Sequence, residues 1–99
     1  MSGQLGLRDG ALVDGGVRAE VAQAMANMTA LLESEGAPLS SVVKTTVFLQ
    51  DISDYGAMNG AYVEAFGDHR PARAAVAVAG LPLGASVEIE AWAYFPAQG

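Results

Sequence analysis

The sequence predicts a single α+β domain in which a mixed sheet carries two helices on one of its faces. The chain has 99 residues, the size of one domain. Two segments have apolar residues at helical spacing, and the segments between and after them are rich in strand-forming residues. The order hairpin, helix, strand, helix, strand, strand places both helices on one side of the sheet and leaves the other face uncovered.

The first elements along the chain are a short hairpin and a long amphipathic helix. Asp9-Gly10 precedes an apolar triplet at 11–13, which is a typical signal for a tight turn between two strands. Between Val17 and Glu35 the apolar side chains recur every three or four residues, which predicts a helix. Gly36 follows at the position where a left-handed residue commonly ends a helix.

The middle of the chain predicts an interior strand followed by a second helix. Residues 41–49 are rich in β-branched residues and apolar on both alternating faces. Asp51 or Ser53 is suited to cap the helix that follows. The apolar stripe of this helix comprises Tyr55, Met58, Tyr62 and Phe66.

The last two strands are predicted at 73–79 and 86–94, with a turn around residues 80–84. Their alternating side chains divide into a set beneath the helices and a set on the uncovered face. We assign the larger aliphatic side chains Val76, Val78, Val87 and Ile89 to the helix side. The residues assigned to the uncovered face are Arg73, Glu88, Glu90 and Trp92.

Composition and charge limit the classes of function. Five Lys and Arg against eleven Asp and Glu give a net charge of −6, which argues against a nucleic-acid-binding surface. The chain has no cysteine, so disulfides, thiolate metal sites and a thiol nucleophile are excluded. His69, the single histidine, lies in a turn, where a solvated loop residue is favoured over a metal ligand.

Neither a secretion signal nor a membrane-spanning run is recognisable, so we expect a soluble, cytoplasmic protein without a membrane partner. The core of this small chain is modest. Hydrophobic residues make up 52% of the sequence, but much of that fraction is alanine, which buries little area. A subunit interface would cover the sheet face that the helices leave open, so we expect self-association.

Arg73 is the residue that most strongly suggests chemistry, because it leads an Ala/Val strand in a chain with few cations. One hypothesis is a cross-strand ion pair with Glu88, which stabilises a protein by about 0.2–1 kcal/mol when exposed. The other is a site in which Arg73 holds a small carboxylate through two hydrogen bonds while Glu88 orients or deprotonates a water. On the residues alone both hypotheses stay open, and the ion pair is the simpler one.

Four segments of the chain carry recognisable motifs: SGQLG at 2–6, SVVKTTVFLQD at 41–51, MNGAYVEAFGDHRPAR at 58–73, and the stretch from 74 through GLPLGASVEIEAWA to 93. The most specific combination is Asn59 with Tyr62, PAR at 71–73, LP at 81–82 and VEIEA at 87–91. In this order and spacing they resemble the RidA family, also called the YjgF family, of imine and enamine deaminases. On this resemblance, we interpret residues 1–99 as a single RidA-like domain.

The resemblance implies a chorismate-mutase-like (YjgF-like) fold assembled as a homotrimer, with pockets between the subunits. It also implies hydrolysis of small 2-imino or enamine acids, such as 2-iminopropanoate and 2-iminobutanoate, to 2-oxo acids and ammonia, without a metal or cofactor. In that scheme Arg73 holds the substrate carboxylate and Glu88 helps to place the hydrolytic water. Ser2 and Asn59 contribute to the pocket or its framework.

Two features depart from the family pattern. Family members normally begin with a further strand and loop, including a tyrosine of the pocket, which have no counterpart before Ser2. Many deaminases carry a cysteine where this chain has Ala75, and alanine serves there if the position acts through its backbone.

Two other functions remain as alternatives. A non-catalytic trimer that binds small carboxylates, or regulates another protein through them, predicts ligand-induced stabilisation that depends on Arg73 without any turnover. A ribonuclease or translation inhibitor, a label that some relatives have carried, is disfavoured by the acidic balance and the single histidine.

Overall fold

The structure, a computed structural model, describes residues 3–94 and contains the predicted elements in the predicted order. A hairpin of β1 (Leu7–Arg8) and β2 (Ala11–Leu12) comes first, followed by α1 (Gly16–Ser34) and β3 (Val42–Leu49). The remaining elements are α2 (Tyr55–Phe66), β4 (Ala72–Ala77) and β5 (Val87–Ala93). Two helices therefore pack on a mixed sheet, and the predicted α+β fold is confirmed.

The central strand of the sheet is β3, which runs parallel to β4 and antiparallel to β5. Beyond β5, the backbone of Gln4 exchanges two hydrogen bonds with Ile89, at N···O distances of 2.6 and 2.9 Å. The sheet thus extends past β5 into the first described residues of the chain. On the opposite side β4 is an edge strand, with no strand of residues 3–94 beyond it.

The hydrophobic core lies between the two helices and one face of the sheet. Buried side chains of α1 and α2 include Val21, Met25, Met28, Met58 and Phe66. The sheet contributes Val47, Leu49, Val87, Ile89 and Ala91, all without exposed surface. The connection into α2 is fixed by Asp51, whose carboxylate accepts from the backbone N–H of Ser53 at 2.9 Å, which lowers the pKa of Asp51.

The predicted orientation of β4 is wrong. Thr45 and Val47 of β3 are buried on the helix side, and they pair with Arg73 and Ala75. Directly paired residues point to the same face, so Arg73 and Ala75 also lie on the helix side. Val76 lies on the open face and is 44% exposed. On the helix side it is Ala75 that packs against the core, whereas the larger Val76 was expected there.

The orientation of β5 is as predicted. Glu88, Glu90 and Trp92 pair with open-face residues of β3, and Val87 and Ile89 are buried beneath the helices. Trp92 is 45% exposed and lies under the Lys44 ammonium, 5.1 Å from the ring centroid. The open face therefore presents apolar surface that neither helix covers. No helix within residues 3–94 combines the length and the apolar character that crossing a membrane demands.

Candidate active site

Arg73 of β4 reaches three side chains of α2. Its Nη1 donates to Asn59 Oδ1 at 2.6 Å, and its Nη2 donates to the Tyr55 hydroxyl at 2.7 Å. The guanidinium carbon lies 4.8 Å from the centroid of the Tyr62 ring and 5.5 Å from that of Tyr55. We call Arg73, Asn59, Tyr55 and Tyr62 the arginine cluster. Two hydrogen bonds and two aromatic faces fix the plane of the cation.

One stripe of α2 supplies all three partners. Tyr55, Asn59 and Tyr62 are four and three residues apart, so they lie on the same side of the helix. The prediction that Tyr55 belongs to the buried stripe is wrong, because this side chain is 39% exposed. Tyr55 is the first residue of α2 and meets Arg73 at the edge of the sheet.

The partners of Arg73 are electrically neutral. Its hydrogen bonds go to an amide oxygen and a phenol, and no carboxylate of residues 3–94 pairs with it. The hypothesis of a cross-strand ion pair with Glu88 is therefore wrong. A guanidinium has five N–H donors, so three of those on Arg73 are left for other partners. A half-buried cation with spare donors and no anion is an electrostatic site for a small carboxylate.

The Tyr62 ring beneath Arg73 is held by a buried hydrogen bond. Its hydroxyl lies 2.7 Å from Thr45 Oγ1, and both residues are buried. Burial raises the pKa of Tyr62, while the bond to Thr45 and the positive charges of Arg73 and Arg70 oppose the rise. The ring therefore stays neutral and in one place beneath the cation at physiological pH.

Ala75 lies two residues after Arg73 on the same side of β4. The Leu49 carbonyl accepts from the Val78 N–H at 2.8 Å, so the even-numbered residues of this segment direct their backbone groups toward β3. Successive residues of a strand alternate, which turns the N–H and C=O of Ala75 to the outer edge. Residues 3–94 place no strand there. The Ala75 backbone is thus available to a ligand whether its side chain is alanine or cysteine.

Glu88 forms a second cluster on the open face. Its half-buried carboxylate lies directly against the backbone of Gly3, where a β-carbon would overlap the carboxylate oxygen. Glycine at position 3 therefore permits this close approach. Ser2, the neighbouring residue in the predicted site, lies outside the described residues. We call Glu88 and Gly3 the glutamate cluster.

The two clusters do not meet within one chain. Arg73 is on the helix side of β4, Glu88 is on the open side of β5, and β3 lies between these strands. Neighbouring strands are about 4.8 Å apart, so the two backbones are separated by roughly 10 Å in addition to facing opposite ways. Of the predicted site residues, Arg73, Asn59 and Ala75 come together, and Glu88 belongs to a different surface.

His69 is not the solvated residue that the sequence predicts. Its Nε2 lies 2.7 Å from the Val42 carbonyl, and its half-buried ring is 6.0 Å from the ring of Phe66. His69 thus anchors the loop between α2 and β4 to the start of β3. In the described part of the chain, no three side chains of His, Cys, Asp or Glu are grouped so that they could hold a metal ion.

Comparisons with known proteins give a consistent result. Residues 1–95 match the family model described as Endoribonuclease L-PSP. The human protein named 2-iminobutanoate/2-iminopropanoate deaminase is 47% identical over 93 residues, which span 92% of this chain and 68% of that protein. A RutC family protein of Pyrococcus horikoshii is 42% identical over 87 residues, spanning 88% and 69% of the two chains.

Solved structures agree with the fold. The crystal structure of RidA from an Antarctic Psychrobacter has a TM-score of 0.90 at 41% identity and covers 96% of this chain and 78% of its own. TdcF of Escherichia coli, solved with bound serine, has a TM-score of 0.90 at 30% identity, with coverages of 97% and 79%.

Proposed function

Because the chain belongs to the RidA family, whose family model is described as Endoribonuclease L-PSP, we propose that it hydrolyses small 2-imino and enamine acids to 2-oxo acids and ammonia. Human, rat and mouse relatives at 47–48% identity are named for 2-iminobutanoate and 2-iminopropanoate. Within this chain, one observation carries the proposal: the Arg73 guanidinium is half-buried, oriented by neutral partners and free of any described anion.

Arg73 anchors the substrate in this proposal. Two of its remaining N–H groups bind the two oxygens of the substrate carboxylate, and Asn59 and Tyr55 keep the guanidinium plane in place. The Ala75 backbone at the free edge of β4 is available to a polar atom of the same ligand. A relative solved with bound serine, which is itself a small carboxylate, supports a ligand of this kind. Anchoring holds the imine carbon at a fixed place for attack.

Glu88 handles the water and its protons. An imine carbon is already electrophilic, so the reaction needs a placed water and a proton transfer. Glu88 accepts a proton as the water oxygen bonds to the imine carbon and returns it to the imine nitrogen, which gives a neutral tetrahedral amino alcohol. Glu88 then takes the proton of the new hydroxyl and passes it to the amino nitrogen, so the C–N bond breaks, ammonia leaves with the bonding electron pair, and the oxygen becomes the carbonyl of the 2-oxo acid. One water is consumed for each ammonia released.

The site in this proposal is shared between subunits of a homotrimer. Arg73 and Glu88 lie on opposite faces of one sheet, so a single chain cannot present both to one small substrate. The edge strand β4 of one subunit, placed beside the open face of the next, joins the arginine cluster of the first to the glutamate cluster of the second. The exposed Val76 and Trp92 on the open face support burial at such an interface.

We propose no nucleic acid partner, although the family description names an endoribonuclease. The net charge of −6 supports this choice, because contact with a phosphate backbone depends on clustered cations. Among the described cations, Arg73 already bonds to Asn59 and Tyr55, and Arg8 bonds to Gln23. Neither arrangement forms a basic patch.

The decisive experiment generates the imine in place with a pyridoxal-phosphate-dependent dehydratase and its amino-acid substrate, and follows imine loss with and without the purified protein. We expect acceleration by the wild type and a loss of about 100-fold in kcat/KM in Arg73→Ala, since this variant removes charge-assisted hydrogen bonds. Arg8→Ala is the matched control, because Arg8 is exposed and bonds to Gln23 on α1. An Arg73→Ala variant with full activity would contradict the proposal.

The same assay separates the enzyme from a non-catalytic carboxylate-binding protein. A wild type that is thermally stabilised by 2-oxobutanoate in an Arg73-dependent way, yet leaves the rate of imine loss unchanged, would favour the binding protein.

A further inference from the structure

Tyr55 has a hydroxyl whose proton is not used within the described residues. The oxygen accepts from Arg73 Nη2 at 2.7 Å, and this is its one hydrogen bond to residues 3–94. A phenol can accept and donate at the same time, so its O–H is left to donate elsewhere. The residue is 39% exposed, so that proton is accessible from outside the protein.

The phenol is better placed than a surface tyrosine for binding an anion. Its oxygen is bonded to the cation that the proposed function assigns to the substrate carboxylate. A hydrogen bond received from a positive donor polarises the phenol and strengthens the bond that its own O–H can donate. An anion bound on the remaining N–H groups of Arg73 would therefore lie next to a strengthened neutral donor.

The three polar residues around Arg73 are not equivalent. Asn59 presents its carbonyl oxygen to Nη1, so it acts as an acceptor that orients the cation. Tyr62 lies beneath the guanidinium with its hydroxyl bonded to Thr45, so that hydroxyl is committed to the core. Within the arginine cluster, Tyr55 is thus the side chain that combines contact with Arg73 and an uncommitted hydroxyl at the surface.

We propose that Tyr55 is a substrate-binding residue whose hydroxyl donates a hydrogen bond to the carboxylate held by Arg73. This inference rests on the proposed function of the site and adds a residue to it. The carboxylate then receives two N–H bonds from Arg73 and one O–H bond from Tyr55. The third donor favours a charged carboxylate over a neutral carbonyl compound of the same size, because the added bond gains most from a full negative charge.

The test compares wild type with Tyr55→Phe, which removes the hydroxyl and keeps the ring beside the guanidinium. We expect KM for the imine and the Kd for 2-oxobutanoate, measured by isothermal titration, to rise about 10-fold. The value of kcat is expected to change less than about 2-fold, because the bond is made equally in the ground and transition states. Tyr94→Phe is the matched control, since Tyr94 is 71% exposed, directly follows β5, and makes no hydrogen bond or ring contact with the arginine cluster.

The outcomes separate this inference from the proposed function. A Tyr55→Phe protein that binds 2-oxobutanoate as tightly as the wild type, or more tightly, overturns the role of the hydroxyl while leaving the function in place. A fall in kcat with KM unchanged also overturns it, because that result means that the hydroxyl acts in the chemical step and not in holding the bound carboxylate. A wild type that neither binds 2-oxobutanoate nor accelerates imine loss overturns the proposed function itself.

Discussion

A site shared between subunits predicts that two inactive variants restore activity when they are mixed. Arg73→Ala removes the arginine cluster's cation, and Glu88→Gln replaces the carboxylate without changing its size. In the proposed homotrimer, each variant alone then lacks one half of every site. In a mixed trimer, an Arg73→Ala subunit still offers Glu88, and a Glu88→Gln subunit still offers Arg73. Where the intact halves meet, a complete site forms.

The size of the recovery follows from the arrangement of the two clusters. With equal amounts of both variants and random assembly, a given site has about a one-in-two chance of an intact Arg73 and, independently, about a one-in-two chance of an intact Glu88. Complete sites are therefore about a quarter of the total, and activity should approach about a quarter of wild type. The opposite faces of Arg73 and Glu88 in one sheet are the structural basis of this estimate.

The assay is imine loss after the variants have been unfolded together in urea and refolded, compared with each variant refolded alone. Light scattering on each preparation checks that trimers have formed. Mixed samples that stay at the level of the separate variants, in confirmed trimers, would refute the shared site. They would mean that both residues act from the same chain, which the sheet geometry argues against.

Two further predictions concern stability. Gly6→Ala should lower the free energy of unfolding, measured by urea titration, by roughly 1–3 kcal/mol, because the added β-carbon would lie 2.6 Å from the Glu20 α-carbon. Gly56→Ala on α2 is the control. Its β-carbon meets open space, so this variant should be neutral or stabilising. The pKa of Tyr62 in the folded protein is raised above its ordinary value of 10.0. The neutral phenol therefore contributes fully to the free energy of unfolding below pH 10.0, and this contribution is lost as the pH rises through the folded-state pKa. Wild type should therefore lose stability above about pH 10 more steeply than Tyr62→Phe, and parallel curves would contradict the raised pKa.

Much of the fold was predictable from the sequence because its signals are local. The helical spacing from 17 to 35 and the β-branched residues at 41–49 correspond to α1 and β3 within two residues. The orientation of β4 was not predictable in the same way. Its two alternating sets are both small and apolar apart from Arg73, so the contrast that normally assigns a face is weak. The pairing of Arg73 and Ala75 with Thr45 and Val47 of β3 decides which face of the sheet they occupy, and this register depends on tertiary contacts.

The site was predictable in part. The resemblance brings Arg73 and Asn59 into one pocket, and the structure places them 2.6 Å apart. Tyr55 was missed as a partner of Arg73, although its spacing from Asn59 and Tyr62 is a sequence signal that was available. An aromatic ring at helical spacing is usually assigned to the core. Tyr55 is exposed because it lies in the first turn of α2, at the edge of the sheet, and this placement depends on the tertiary structure.

In the proposed trimer, one interface both covers the exposed apolar face of the sheet and completes the active site. The helices cover one face of the sheet, so Val76 and Trp92 remain exposed on the other and favour association. The half-sites are incomplete for an independent reason, since β3 separates the strands that carry Arg73 and Glu88. An assembly that places the edge of β4 against a neighbour's open face buries the apolar surface and completes the site together. In this proposal, the part of the pocket that one subunit lacks is supplied by an identical subunit.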